Sequence, residues 1–309
     1  MGISRNLLLW ASKNTWMLKH VPSYKFVKKA VRKFMPGENL SDAIKATKDF
    51  MEQGVSTVFT HLGENINEIK EAENVKNHYL EVLEKIYSEK INSEISLKLT
   101  QIGLDLSLNK SLDYFNQIAQ KASEFSNFVW IDMESSSYTK TTLDFYRRAK
   151  SNSKNIGICL QAYLKQTEND LLSLLDIKPN IRLVKGAYME PQNIAFKAKS
   201  DVDKNYLKVA KILLAQIKEC DIKTVFGTHD LKIINQIKKI SADLKVQHEQ
   251  IEFHMLYGIK PREQLLLVKE GYKLKVLISY GTAWYSWYMR RLAERPANVG
   301  FVLKNIYSK

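Results

Sequence analysis

Eight short apolar or β-branched runs recur along the chain, at 55–60 (VSTVFT), 95–100 (ISLKLT), 128–132 (FVWID), 156–161 (IGICLQ), 181–185 (IRLVK), 223–227 (KTVFG), 251–256 (IEFHML) and 274–278 (LKVLI). The stretches between them carry helical periodicity, as at Leu80, Val82, Leu83 and Ile86 before the second run and Val209, Ile212, Leu213 and Ile217 before the sixth. Strands alternating with helices pair in parallel through right-handed crossovers. Eight such units over roughly 250 residues match the count and size of a (β/α)8 barrel. An open doubly wound sheet ranks second, because HLGENINE rather than a GxGxxG turn follows the first run.

No linker rich in Pro, Gly or Ser divides the 309 residues, so a single domain over 1–309 is expected, with 1–50 as an N-terminal helical extension. A helix is expected from Leu40 to Gln53, after the Pro36-Gly37 turn, with Asn39 or Ser41 as its cap. At 45% apolar residues the composition is globular. The two cysteines, Cys159 and Cys220, form no disulfide framework or zinc spacing, which points to a reducing compartment.

A net charge of +14 favours anionic partners. Residues 1–35 hold Arg5, Lys13, Lys19, Lys25, Lys28, Lys29, Arg32 and Lys33 and no acid, interleaved with Leu7, Leu8, Leu9, Trp10, Trp16, Met17 and Leu18. Such a segment suits the surface of an anionic membrane, and equally a packing helix with a solvated basic face. Its apolar run is too short to span a bilayer and no secretory cleavage site follows it. A nucleic-acid partner is not expected, since no binding module is recognisable and the aromatics cluster at Tyr280 to Tyr288, away from the basic tract.

A barrel places its site at the carboxyl ends of its strands. Glu64 follows the first run, Lys98 lies within the second, Asp132 ends the third and Gln161 the fourth. Arg182 and Lys185 belong to the fifth, Thr228, His229 and Asp230 follow the sixth, and His254 lies in the seventh. Each alone has an ordinary explanation, such as a helix cap for an aspartate at a strand end like Asp132. Lys98 and Arg182 are harder to place, because a charge inside ISLKLT or NIRLVKG needs a partner or a charged ligand. The set reads as a large cationic ligand site. No metal spacing and no nucleophile elbow accompany it. Beyond the eighth run, YGTAWYSWYMRRLAERPAN puts Arg290 beside Arg291 where a helix is expected; the two guanidiniums either sit in solvent or converge on one carboxylate.

The segments FTHLGENI (59–66), ISLKLTQIGL (95–104), WIDMESS (130–136), LQAYLKQTENDL (160–171), IRLVKGAYMEP (181–191), GTHDLKII (227–234), EFHMLYGIK (252–260) and YGTAWYSWYMRRLAE (280–294) together make the chain resemble the proline dehydrogenases, of the monofunctional bacterial type. The resemblance implies an α/β fold, a distorted (β/α)8 TIM barrel with extra N-terminal helices. It implies FAD-dependent oxidation of L-proline to 1-pyrroline-5-carboxylate, by hydride transfer to flavin N5, with electrons passed to a quinone. By the same resemblance Arg290 and Arg291 hold the proline carboxylate, Lys98 contributes to the substrate site, Glu64 pairs with Arg290 as a gate, and Tyr188 and Leu256 wall the ring. Asp132, which orients Lys98, and Arg182, close to the flavin, occupy positions tied to catalysis. FAD is expected on Met133, Gln161, Val184, Lys185, Gly186, Ala187, Thr228 and His229, with Glu294 near by. A cytoplasmic protein with peripheral contact at the inner face of the membrane is the matching location.

Four positions depart from the family pattern. LISYG stands where YVPYG or YVPFG is usual, which puts Leu277 in the place of a tyrosine beside the substrate and Ser279 in that of the proline; His254 replaces a glutamine, and Gln166 a basic residue. Leu277 opens two alternatives to proline, hydroxyproline or another cyclic amino acid. A catalytically silent barrel that binds anions or membranes is the alternative from outside enzymology.

Overall fold

All eight apolar runs become parallel strands, β1 (Ser56–His61), β2 (Ser93–Lys98), β3 (Val129–Asp132), β4 (Ile156–Gln161), β5 (Ile181–Val184), β6 (Thr224–Gly227), β7 (Glu252–Leu256) and β8 (Lys273–Tyr280), which close into a barrel in chain order. The computed structural model describes residues 3–12, 14–64, 66–220 and 222–294. Four helices precede the barrel: α1 (Ile3–Ala11), α2 (Thr15–His20), α3 (Lys25–Val31) and α4 (Leu40–Met51). The crossovers are α5 (Ile69–Ser88), α6 (Leu108–Glu124), α7 (Thr139–Asn152), α8 (Thr167–Leu174), α9 (Lys199–Cys220), α10 (Leu231–Asp243) and α11 (Pro261–Lys269), and α12 (Trp284–Glu294) follows β8.

The main core lies between strands and helices. Outward residues such as Phe59, Leu97, Ile131, Leu183 and Phe226 are fully buried there. The N-terminal helices divide in a way their sequence does not announce. Helix α4 puts Ala43, Ile44 and Ala46 into the barrel core, and the Asp42 carboxylate accepts the Asn39 N–H at 3.1 Å, closing its first turn. By contrast, α1 and α3 share a second core with α12, built from Ala11, Val27, Val31, Trp284, Trp287 and Tyr288.

Two of the shifted boundaries bear on the site. Lys98 is the last residue of β2, not an interior one, because Leu99–Ile102 turns into a short 3-10 helix. Tyr280 belongs to β8 rather than to the helix expected there; it pairs in register with His61, and Gly281 (φ +113°) makes the turn toward α12.

Candidate active site

Alternation along each strand turns every second side chain inward. On β5 that selects Arg182 and Val184, on β4 Cys159 and Gln161, on β7 His254 and Leu256, and on β8 Leu277; all line one cavity of about 660 Å³ at the carboxyl ends of the strands. Lys98 and Asp132 share a register position at the ends of β2 and β3 and also face it. From α12 come Arg290 and Arg291, and from the loop after β5 Lys185, Gly186, Ala187 and Tyr188. Met133, Thr228 and His229 also line the cavity, whereas Glu64 stands behind Lys98 and Arg290. The side chain of Glu294 lies outside the described residues.

Glu64 is the hub of the anion-binding corner. Its Oε1 accepts from both Lys98 Nζ and Arg290 Nη2, and Arg290 Nη1 reaches Oε2 at 3.4 Å. Burial alone would raise the Glu64 pKa, but Lys98 and Arg290 outweigh it and hold the group down at about 2. The Arg290 guanidinium also lies 5.2 Å from the centre of the Tyr188 ring. Glu64 thus bridges two cations, one more than the expected pairing with Arg290 alone.

Asp132 has a different partner from the one expected. Its Oδ1 accepts from Arg182 Nη2, and Cys159 Sγ lies 3.4 Å from the same oxygen. Lys98, which it was expected to orient, is instead held by Glu64. Arg182 is 3% exposed and also donates from Nε to Cys159 Sγ (2.9 Å) and from Nη2 to Ser96 Oγ (2.7 Å). Burial pushes the Cys159 thiol up to about 12, so it stays protonated as it bridges arginine and aspartate.

Lys185 is answered by Asp203 at 2.5 Å and Asp230 at 2.9 Å, and Asp230 also caps α10 by accepting the Lys232 N–H at 3.1 Å. His229 Nε2 accepts the Leu256 N–H at 2.8 Å, so the proton of the neutral ring sits on Nδ1. Gly186 has φ +102°, and a Cβ there would lie 2.1 Å from the Tyr163 ring, so only glycine fits. Gln161 donates to the Met133 carbonyl at 3.3 Å, while its Oε1 is buried without a partner.

Sequence reasoning missed several contributors. Tyr163, Phe196 and Val202 line the same cavity, yet they lie in helical or loop segments with no pattern to mark them. Cys159, on β4, lines it too. A second cluster lies lower in the barrel, where the donor atoms of Glu94, Glu252 and His254 come within 4.8 Å of one another. Such a trio resembles a metal ligand set, but Lys223 and Lys275 both bind Glu94, so lysine ammonium groups hold the place a cation would take.

The fold and this cavity define a class: a (β/α)8-barrel protein with a buried, arginine-rich ligand site at the carboxyl ends of its strands. The family description "Proline dehydrogenase" matches residues 43–304. The chain is 38% identical over 305 residues to proline dehydrogenase 1 of Bacillus subtilis (strain 168), covering 99% of both, and 33% identical over 279 residues to the proline dehydrogenase of Deinococcus radiodurans, covering 89% of both. Among solved structures, proline utilization A (PutA) from Bdellovibrio bacteriovorus inactivated by N-propargylglycine superposes with a TM-score of 0.81 at 23% identity, over 99% of this chain and 38% of that one. The chain belongs to the proline dehydrogenase family.

Proposed function

We propose that the protein oxidises L-proline to 1-pyrroline-5-carboxylate with FAD as its cofactor and a quinone as the final acceptor. The observation that carries this reading is Glu64: a carboxylate already sits between Lys98 and Arg290, both of which line the cavity. A substrate carboxylate entering from the cavity replaces or joins it on the same cations, and Arg291 lies on the same wall. Glu64 then acts as the gate, and its release is coupled to binding. Tyr188, Leu256 and Leu277 wall the ring and keep water from it.

FAD fits the remainder of the cavity. The partnerless Gln161 Oε1 suits an N–H of a polar ring, and the bare Gly186 backbone lets a large ligand approach. Met133, Gln161, Val184, Lys185, Gly186, Ala187, Thr228 and His229 would hold it, with Glu294 next to them. Bound FAD supplies the two-electron acceptor for oxidation of the ring carbon beside nitrogen. Arg182, fixed by Asp132, Cys159 and Ser96, keeps a permanent positive charge where an acceptor gains negative charge.

A lipid-soluble oxidant calls for a membrane-facing surface. Leu7, Trp10 and Trp16 are 60%, 55% and 60% exposed, Lys19, Lys28, Lys29 and Arg32 are exposed near them, and α1 packs on α12, which bears the arginine pair. That combination suits peripheral contact with an anionic bilayer. Among the described residues no helix is long and apolar enough to cross one.

Visible absorption of the purified protein tests the reading: a flavin band that L-proline bleaches is expected. A colourless protein that FAD cannot reconstitute would leave a silent anion-binding barrel. A second reading is favoured by Leu277, which lines the cavity where the family resemblance expects a tyrosine. The added volume would admit trans-4-hydroxy-L-proline, although leucine offers its hydroxyl no hydrogen bond. Comparing steady-state rates for the two substrates decides between them.

A further inference from the structure

Strand β7 turns Glu252, His254 and Leu256 into the barrel, and His254 stands between a mouth residue and a floor residue. Its Nε2 is 2.6 Å from Glu252 Oε1, and its Nδ1 is 3.4 Å from Arg182 Nη1. Below it, Glu252 lies 3.7 Å from Lys223 Nζ and 3.8 Å from Lys275 Nζ, and Glu94 binds both lysines while accepting from Trp130 Nε1 at 2.7 Å. The Trp130 ring meets His254 edge-on, with centroids 5.8 Å apart, and lies 5.0 Å from the Arg182 guanidinium carbon.

The two ring nitrogens face groups with opposite demands. Arginine only donates, so Nδ1 must accept from Arg182. Burial works against ionised Glu252, but the His254 hydrogen bond, Lys275 and Lys223 hold its pKa below the usual carboxylate range, so Nε2 must donate to it. One state meets both demands, the neutral imidazole with its proton on Nε2. An imidazolium would point N–H at N–H against a buried cation. Burial, with Arg182 adding to it against the pull of Glu252, keeps the ring neutral down to about pH 4.

We propose that His254 is a positioning residue for Arg182, a neutral Nε2–H imidazole through which the ion-pair floor of the barrel fixes the guanidinium that faces the cavity. Arg182 commits Nε to Cys159, both Nη2 hydrogens to Ser96 and Asp132, and one Nη1 hydrogen to His254. Removing His254 frees only the Nη1 end. The residues assigned to the carboxylate, Lys98, Arg290 and Arg291, lie on β2 and α12 and are bonded elsewhere. Loss of His254 therefore lowers kcat and spares KM, a consequence that rests on the proposed proline oxidation. A glutamine, the residue the family resemblance expects at this position, offers the same acceptor and donor as an amide.

Two measurements test the proposal. In the full-length protein carrying 15N-histidine, the His254 signals, assigned by their loss in His254→Gln, should show a protonated Nε2 and an unprotonated Nδ1 that do not titrate between pH 8 and about pH 5.5. A proton on Nδ1, or a midpoint near the ordinary histidine value, overturns the assignment whether or not the protein oxidises proline. In kinetics, His254→Leu should lose about tenfold in kcat with KM for L-proline within about threefold, and His254→Gln should stay within about threefold in both. Unchanged kcat in His254→Leu, a loss confined to KM, or a His254→Gln as impaired as His254→Leu overturns it. If His254→Leu does not fold, the NMR tautomer and the His254→Gln kinetics decide.

Discussion

The barrel holds two charged clusters made from similar side chains, and they differ in whether the charges cancel. On the floor, Lys223 and Lys275 face Glu94 and Glu252, and each carboxylate lies within 4 Å of both lysines. At the mouth, among the described residues, the three cations Lys98, Arg182 and Arg290 share the two carboxylates Glu64 and Asp132. Nearby Glu134 is bound by the N–H and hydroxyl of Thr100, and burial raises its pKa above the ordinary carboxylate value. A buried charge is tolerated when paired. The floor is complete in itself, whereas the mouth carries a cationic surplus that an anionic ligand would neutralise.

The largest expected effect comes from unbalancing the floor. Glu94→Ala removes the carboxylate that Lys223, Lys275 and Trp130 all bind, leaves two lysines to Glu252 alone, and should cost about 3–5 kcal/mol of stability, read from urea unfolding. Glu64→Ala at the mouth also strands two cations, but there the cavity lets in water and counterions, and about 1 kcal/mol is expected. Equal losses from the two variants would erase the distinction between closed and open clusters.

Next is the clamp. Arg290→Ala should raise KM for L-proline about a hundredfold, the worth of a charge-assisted, forked contact, with little change in melting temperature. Arg291→Ala should act in the same direction, and Arg262→Ala, at an exposed position on α11, should do nothing. A KM unchanged by both clamp variants would mean that the surplus charge serves the cofactor alone.

Acid separates the regions by pH. Burial, helped by His78, lowers His61 to about 4, and His254 is held at a similar value. The unfolded chain protonates these rings near 6.5, so between that value and about 4 it binds more protons than the folded protein. Stability is therefore full above pH 6.5 and falls as pH drops toward 4, by on the order of 3 kcal/mol for the buried His254 and by less for the half-buried His61. Glu64, held at about 2, adds loss only below its ordinary value near 4.5. His254→Gln should flatten the upper part of this curve, and an unaltered slope between pH 6.5 and 4 would show that the floor histidine does not carry it.

Much of the fold was legible because a strand covered on both faces must be apolar throughout, and eight such runs have few homes. Tyr280 was misplaced because an aromatic run reads the same in a strand or a helix, and pairing with β1 decided the matter. The inward-facing polar residues were legible as a set, since a charge inside an apolar run demands a reason. Their partnerships were not. Glu94 and Lys275 are 181 residues apart and meet only because the barrel closes, and Asp132 chooses Arg182 over its register neighbour Lys98 through side-chain reach across the barrel.

The smallest expected effect concerns the ring rather than the charge. Leu277 pairs in register with Leu256, and both line the cavity, so the two leucines form an apolar wall beside the clamp. A tyrosine there would fill volume and bring a hydroxyl, and differences of that size in an apolar pocket change discrimination by about 1–3 kcal/mol. Leu277→Tyr should therefore raise kcat/KM for L-proline about tenfold relative to that for trans-4-hydroxy-L-proline, while leaving the Arg290→Ala penalty intact, because the proposed function puts the carboxylate on α12 and β2 and the ring on β7 and β8. An identical substrate ratio in the variant would show that the leucine wall lies away from the bound ring, and that selectivity at this mouth is set by its charges alone.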